Sequence, residues 1–207
     1  MTLHRSARPL LLALGAALAA TTLASGCAPL VIGGAAMSGA LLYTDRRTSG
    51  AQLEDQAIEF KAGPRLKDAL GERAHLNVTS YNRLVLVTGE VASEEDRAAA
   101  EKAMAGVENV RSVVNEAAVM GLSSLTSRSN DTLLTSKVKA AMIDDGNLQP
   151  SAIKVVTERA TVYLMGRVTE REANRAAEVA RGVSGVQKVV RVLEIISEAE
   201  LKAIEKK

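Results

Sequence analysis

The chain contains one stretch twice, and that repeat limits its fold more than any other feature. Residues 77–91 return as residues 154–168, with Gly89 over Gly166 and Val91 over Val168. The match continues through Ala-rich stretches at 98–104 and 175–181. It then takes in Val107 and Val110 against Val183 and Val186, and ends at Val113-Val114 against Val189-Val190. Self-similarity at such a spacing means two copies of one supersecondary unit. A unit this short buries a modest share of its surface, so each copy is marginal alone.

Both copies read the same way. A helix comes first, over residues 55–70 in one copy and 131–143 in the other. Two short strands follow, joined by tight polar turns at Asn82-Arg83 and Arg159-Ala160. The β-branched content of residues 84–87 and 161–164 favours strand over helix. Gly89 and Gly166 leave the strand, and Ser93 and Thr169 are N-cap candidates followed by acidic residues that suit a helix dipole. The Ala-rich second helix ends near Gly106 or Gly182, both C-cap candidates. A last strand, 110–116 or 186–196, closes the unit. The order α-β-β-α-β predicts an α+β fold: two helices packed on one face of a three-stranded sheet, made twice. Aromatics are 2% of the chain, with no Trp and Phe60 the single Phe, so the cores are aliphatic.

The formal charge of +2 is nearly balanced, and acids and bases interleave. No clustered basic footprint for nucleic acid is present in the sequence. One cysteine, Cys27, cannot form an intrachain disulfide and needs another explanation. Ahead of it, His4, Arg5 and Arg8 form a basic start. Residues 10–23 are then uncharged and largely apolar, about 21 Å as helix, which suits the h-region of a signal peptide better than a ~30 Å membrane core. Ala24-Ser25-Gly26-Cys27 resembles the lipobox of bacterial lipoproteins, with Ala24 where that pattern has Leu. The resemblance implies cleavage after residue 26, acylation of Cys27 and, with Ala28 next, delivery to the outer membrane, facing the periplasm. Several acyl chains anchor a protein effectively permanently. Residues 28–43 read as a membrane-proximal apolar segment, and 43–52 as a polar linker.

The unit and its doubling resemble the BON domain. The resemblance rests on the strand-turn-strand reaching Gly89 or Gly166, the Ala-rich helix, and the Gly-Val…Val-x-x-Val ending. Ser129-Asn130-Asp131-Thr132 leading into the second copy, with residues 168–173 further on, is similar to the dual BON-domain outer-membrane lipoproteins. The expected domains are a signal peptide at 1–26, a lipidated Cys and linker at 27–52, and BON modules at 53–120 and 129–197. A linker at 121–128 joins the modules, and a charged tail at 198–207 follows. Gly63-Pro64 departs from the pattern and should kink or shorten the first helix.

No catalytic constellation emerges from the residues. His4 falls in the signal and His75 stands alone before a strand, so no set of metal ligands converges. Asp144-Asp145 and Glu94-Glu95 sit at helix ends, where carboxylates cap or solvate. Residues 182–185 are a turn and lack the Lys of a phosphate loop. The expectation is a non-enzymatic protein without cofactor or metal.

Binding is expected on the first helix of the second module. Asn130 or Asp131 can cap it, Leu134, Val138, Ala141 and Met142 make its core face, and Leu133 falls outside that face near Lys137 and Lys139. The family resemblance implies that this helix binds anionic, phosphatidylglycerol-like phospholipid, through Asn130, Asp131, Thr132, Leu133, Leu134 and Lys137. Family members carry a bulky aromatic where this chain has Leu133. Two other roles fit the same resemblance. One is an interaction module whose edge strands, at 110–114 or 186–190, pair with outer-membrane assembly machinery or cell-wall amidase regulators. The other is a periplasmic stress chaperone.

Overall fold

The computed structural model describes residues 45–121 and 123–205. The expected signal peptide, Cys27 and the apolar segment after it lie outside the described residues. None of the described helices is long and apolar enough to cross a membrane.

The first module runs α1 (Ser49–Leu70), β1 (Ala74–Tyr81), β2 (Leu84–Val91), α2 (Glu94–Ala105), β3 (Ser112–Asn115) and β4 (Ala118–Val119). The second runs α3 (Leu125–Asp144), a 3-10 turn (Pro150–Ala152), β5 (Ile153–Glu158), β6 (Thr161–Val168), α4 (Glu170–Gly182) and β7 (Lys188–Ile195). A short α5 (Glu198–Glu205) follows and buries Leu201. In each module the middle strand pairs antiparallel with the hairpin partner before it and parallel with the strand after the helix. The α-β-β-α-β reading is therefore the observed topology.

Helix starts are where the structure corrects the sequence. The first helix begins at Ser49 rather than residue 55, capped by the Thr48 side chain. Gly63-Pro64 neither shortens nor breaks it, since α1 continues to Leu70 with Pro64 inside. Residues 45–52, read as a linker, are thus part of the fold. The second module's helix begins at Leu125, with Ser124 as its N-cap. Neither Asn130 nor Asp131 caps it. Ser93 and Thr169 do cap α2 and α4, and Thr169 forms a full capping box with Glu172. Gly106 follows α2 as its cap, whereas Gly182 is the last residue of α4 and Val183 is the cap. His75 lies within β1, half-buried, not ahead of it. The closing strand of the first module is broken: Asn115 accepts from Ala117 N–H and turns the chain between β3 and β4. In the second module β7 stays continuous.

Alternation along the middle strands gives each sheet two apolar faces. Val85 and Val87 point into a core with Ile58, Ala62, Leu66, Ala100 and Met104. Val162 and Leu164 do the same against Val138, Met142 and the alanines of α4. The residues in between, Leu86 in β2 and Tyr163 and Met165 in β6, join Tyr81 and Val192 in a third cluster between the sheets. The modules therefore pack sheet against sheet, with their helices outermost. Burial pushes the hydroxyls of both tyrosines up to about 12.

Polar contacts at the two ends of this interface are reciprocal. The first module's turn reaches the end of the second sheet, where Asn82 and Arg111 donate to Glu194 at 2.7 and 3.1 Å. The second module's turn reaches the end of β2, where Arg159 donates to the Gly89 carbonyl and pairs with the fully buried Glu90. Between them, Asn77 donates to Glu158 and Lys154 pairs with Glu59. Gly89 itself, at φ +115°, admits no side chain: a Cβ there would collide with the His75 carbonyl.

Candidate lipid-contact site

A paired feature of the two modules positions the candidate helix. Asp55, Ile58, Ala62 and Leu66 in α1 repeat as Asp131, Leu134, Val138 and Met142 in α3, and all eight are buried. The spacing keeps them on one helix face. The apolar members seat the helix on its sheet, and the aspartate holds the hairpin turn. Asp131 accepts the N–H groups of Arg159 and Ala160 at 2.8 and 2.9 Å. Asp55 accepts those of Asn82 and Arg83, both at 2.7 Å, together with the Ser80 hydroxyl and Arg47. The turns need such a clamp. All four central residues have positive φ, from 48° to 65°, without a glycine among them. The carboxylate gives the strained amides two charge-assisted bonds.

With its buried face fixed, α3 turns the rest outward. Leu133 is 62% exposed, and Leu125 and Ile143 are 79% and 65% exposed. At 100° per residue, Leu125, Leu133, Ala140 and Ile143 fall within an arc of about 80°. Lys137 and Lys139, both exposed, lie on either side of this arc and make no ion pair among the described residues. The hydroxyls of Ser129, Thr132 and Ser136 bond back to carbonyls one turn earlier, which leaves them satisfied within the helix.

Beside this face lies a shallow groove of about 340 Å³, lined by Asn130, Asp131, Leu133, Leu134, Lys137, Ala160, Ser184 and Gly185. Five of the six residues expected to bind phospholipid meet there. Thr132 does not; it is exposed and bonded to Arg128 O. Two of the five serve the fold first: Leu134 is in the protein interior and the carboxylate of Asp131 is occupied by the turn. Asn130, Leu133 and Lys137 are the exposed members. The groove's floor was missed in the sequence reading, which took residues 182–185 only as a turn. Gly185, at φ +101°, lets that turn double back against Leu134. Leu125 lies ahead of the helix start read at residue 131, so the outward stripe that it forms with Leu133 and Ile143 is not visible from that start. Among the described residues no cluster of His, Cys, Asp or Glu is placed to hold a metal ion.

Two hairpin-clamped α-β-β-α-β modules define the class. The BON domain matches residues 54–121 and again residues 130–197, and the chain belongs to the BON-domain family. The chain is 39% identical over 181 residues to "Outer membrane lipoprotein DolP" of Haemophilus influenzae, an alignment covering 86% of this chain and 93% of that protein. It is 33% identical over 154 residues to "21 kDa hemolysin" of Actinobacillus pleuropneumoniae, covering 73% of this chain and 79% of the relative. It is also 30% identical over 144 residues to "Osmotically-inducible protein Y" of Escherichia coli, covering 68% and 72%. Tandem BON domains and this identity make the chain a dual BON-domain protein of the DolP type, an outer-membrane lipoprotein of the bacterial envelope.

Proposed function

We propose that the protein is a non-enzymatic envelope-integrity factor that is anchored through lipidated Cys27, faces the periplasm and binds anionic phospholipid through α3. The observation that carries this reading is the outward stripe of α3, where Leu125, Leu133, Ala140 and Ile143 share an arc with the back-bonded Ser129 and Ser136, and the lysine on each side makes no ion pair among the described residues. An amphipathic helix of that kind lies in the interfacial plane, apolar side down and cations among the headgroups.

The magnitudes define what the site contributes. Leu125, Leu133 and Ile143 would each yield about 2 kcal/mol at full burial, and each lysine about 1 kcal/mol near an anionic surface. Partial insertion and the entropy of association take back a large part of that sum. A free domain therefore binds weakly. Tethering through Cys27 raises the local concentration of lipid so far that a weak site stays occupied. The anchor supplies retention, while α3 supplies choice of lipid and orientation. Leu133 lacks the interfacial preference of an aromatic, but Leu125 and Ile143 extend the contact along the whole helix.

The test is co-sedimentation of residues 28–207 with phosphatidylglycerol vesicles. Leu133→Asp should leave the circular dichroism and melting temperature unchanged and abolish sedimentation. Binding equal to that of the unaltered chain would refute the role of α3.

A further inference from the structure

The outward face of α1 has no task in the account above. Leu53, Ala57, Phe60 and Pro64 fall within an arc of about 60°, opposite the buried Ile58, Ala62 and Leu66. All four are exposed. Phe60, the single Phe of the chain, is 84% exposed, and Leu53 is 68% exposed. A contiguous apolar stripe left at water marks a contact surface.

Chain connectivity points to what covers it. Thr48 caps α1, and it follows Cys27 by about 20 residues, at most about 70 Å of extended chain. Residues 28–43 in that stretch contain no charged side chain. A bilayer holding acyl chains on Cys27 is therefore always within reach of α1.

Charge separates this stripe from that of α3. Lys61 pairs with Glu108 at 2.9 Å and Lys67 with Glu72 at 3.7 Å, while Glu54, Arg65 and Asp68 stand nearby. The surroundings are close to neutral, so this face has apolar contact to offer and little attraction for anionic headgroups. Packing separates the two stripes in space. The sheets meet in the middle and the helices lie outermost, so the outward faces of α1 and α3 point in opposite directions. One flat bilayer meets one of them at a time.

We propose that α1 is a second, charge-neutral bilayer-contact face, and that the anchored protein rolls between its two faces according to the charge of the lipid. The proposal rests on the anchoring at Cys27 put forward above, and its alternation rests on the lipid role of α3. Neutral bilayers favour α1, where Phe60 inserts as the aromatic anchor. Anionic bilayers favour α3, where Lys137 and Lys139 meet the headgroups.

The chain has no Trp, so Phe60→Trp and Leu133→Trp each create a single fluorescent reporter at an exposed position. The full-length lipidated protein, with acylation of Cys27 verified by mass spectrometry, is reconstituted into phosphatidylcholine bilayers with rising phosphatidylglycerol. Acyl-chain-brominated lipid serves as the contact quencher. The expected result is loss of most Phe60→Trp emission in phosphatidylcholine alone. As phosphatidylglycerol rises, that quenching should fall while quenching of Leu133→Trp grows. No quenching of Phe60→Trp at any composition overturns the proposal, and a response of Leu133→Trp would then leave the α3 reading standing alone. A blue shift of Phe60→Trp without quenching would mean that protein covers the stripe, and also overturns it. Strong quenching of both reporters at one composition overturns the alternation. Quenching of Phe60→Trp with none of Leu133→Trp upholds the α1 face and refutes the α3 reading.

Discussion

Arg46 and Glu172 form a bidentate ion pair, at 2.7 and 2.8 Å, across 126 positions of sequence, with both side chains almost wholly buried. Glu172 is also the acidic half of the capping box that starts α4. Arg46 stands just ahead of the first module yet docks on the second, where it also donates to the Arg167 carbonyl. Its neighbour Arg47 turns the other way, to Asp55 and over the Tyr81 ring at 4.3 Å. Two adjacent arginines thus hold the segment ahead of α1 to both modules at once.

Removing one half of this pair leaves a buried charge without a partner, which costs about 3–5 kcal/mol. Arg46→Ala should lower stability by roughly that much in a urea titration. Arg46→Met combined with Glu172→Gln should recover a large part of the loss, because it leaves no charge stranded. A loss below about 1 kcal/mol for Arg46→Ala would mean that the pair is solvated and idle.

Acid should separate the modules. Burial works against the charge of Glu172, but the Arg46 guanidinium and the Thr169 amide outweigh it and hold the carboxyl below the usual carboxylate range. Glu194 behaves alike: burial raises it, and Asn82, Arg111 and Arg167 more than offset that. A depressed folded-state value means that the unfolded chain takes up protons first as pH falls. The stabilisation is therefore complete above the ordinary glutamate value of about 4.3, and is lost as pH drops through the lower folded-state values. Melting temperature should be flat near neutrality and fall below about pH 4. Glu194→Gln should flatten the acid limb, and an unchanged limb would remove Glu194 from the interface account.

Asp131 and Leu133, both expected to bind phospholipid, should fail in different ways. Asp131→Ala strands two half-buried N–H groups in a strained turn, at a cost of up to about 1–3 kcal/mol each. It should lower the melting temperature, and lose vesicle binding only in proportion to unfolding. Leu133→Asp should do the reverse, with normal melting and no binding. Normal stability in Asp131→Ala would contradict the turn-clamp role.

The fold was legible because repetition, strand alternation and the caps at Ser93 and Thr169 are local signals. The site was legible in part. Helical spacing puts Leu133 off the core face near Lys137, their role at lipid is what the family resemblance implies, and the groove brings both beside Asn130. What stayed hidden is non-local. Asp55 and Asp131 look like helix starts, because an aspartate before an apolar run is the usual signature of an N-cap. Their true partners are turn amides 27 to 29 positions away. Arg46 looks like linker for the same reason: its partner Glu172 lies in the other module. The inter-sheet cluster escaped because Leu86 and Met165 fit a strand buried on both faces or on one, and periodicity alone does not choose.

The central claim is that α3 faces lipid. Amide NMR spectra of residues 28–207, titrated with small phosphatidylglycerol vesicles, test it most directly. Intensity should be lost first along the outward stripe at Leu125, Leu133, Lys137, Ala140 and Ile143, with Ala160, Ser184 and Gly185 of the groove close behind, while phosphatidylcholine vesicles leave these signals in place. Losses confined to the edge strands β3 and β7, or no loss at any lipid concentration, would contradict it.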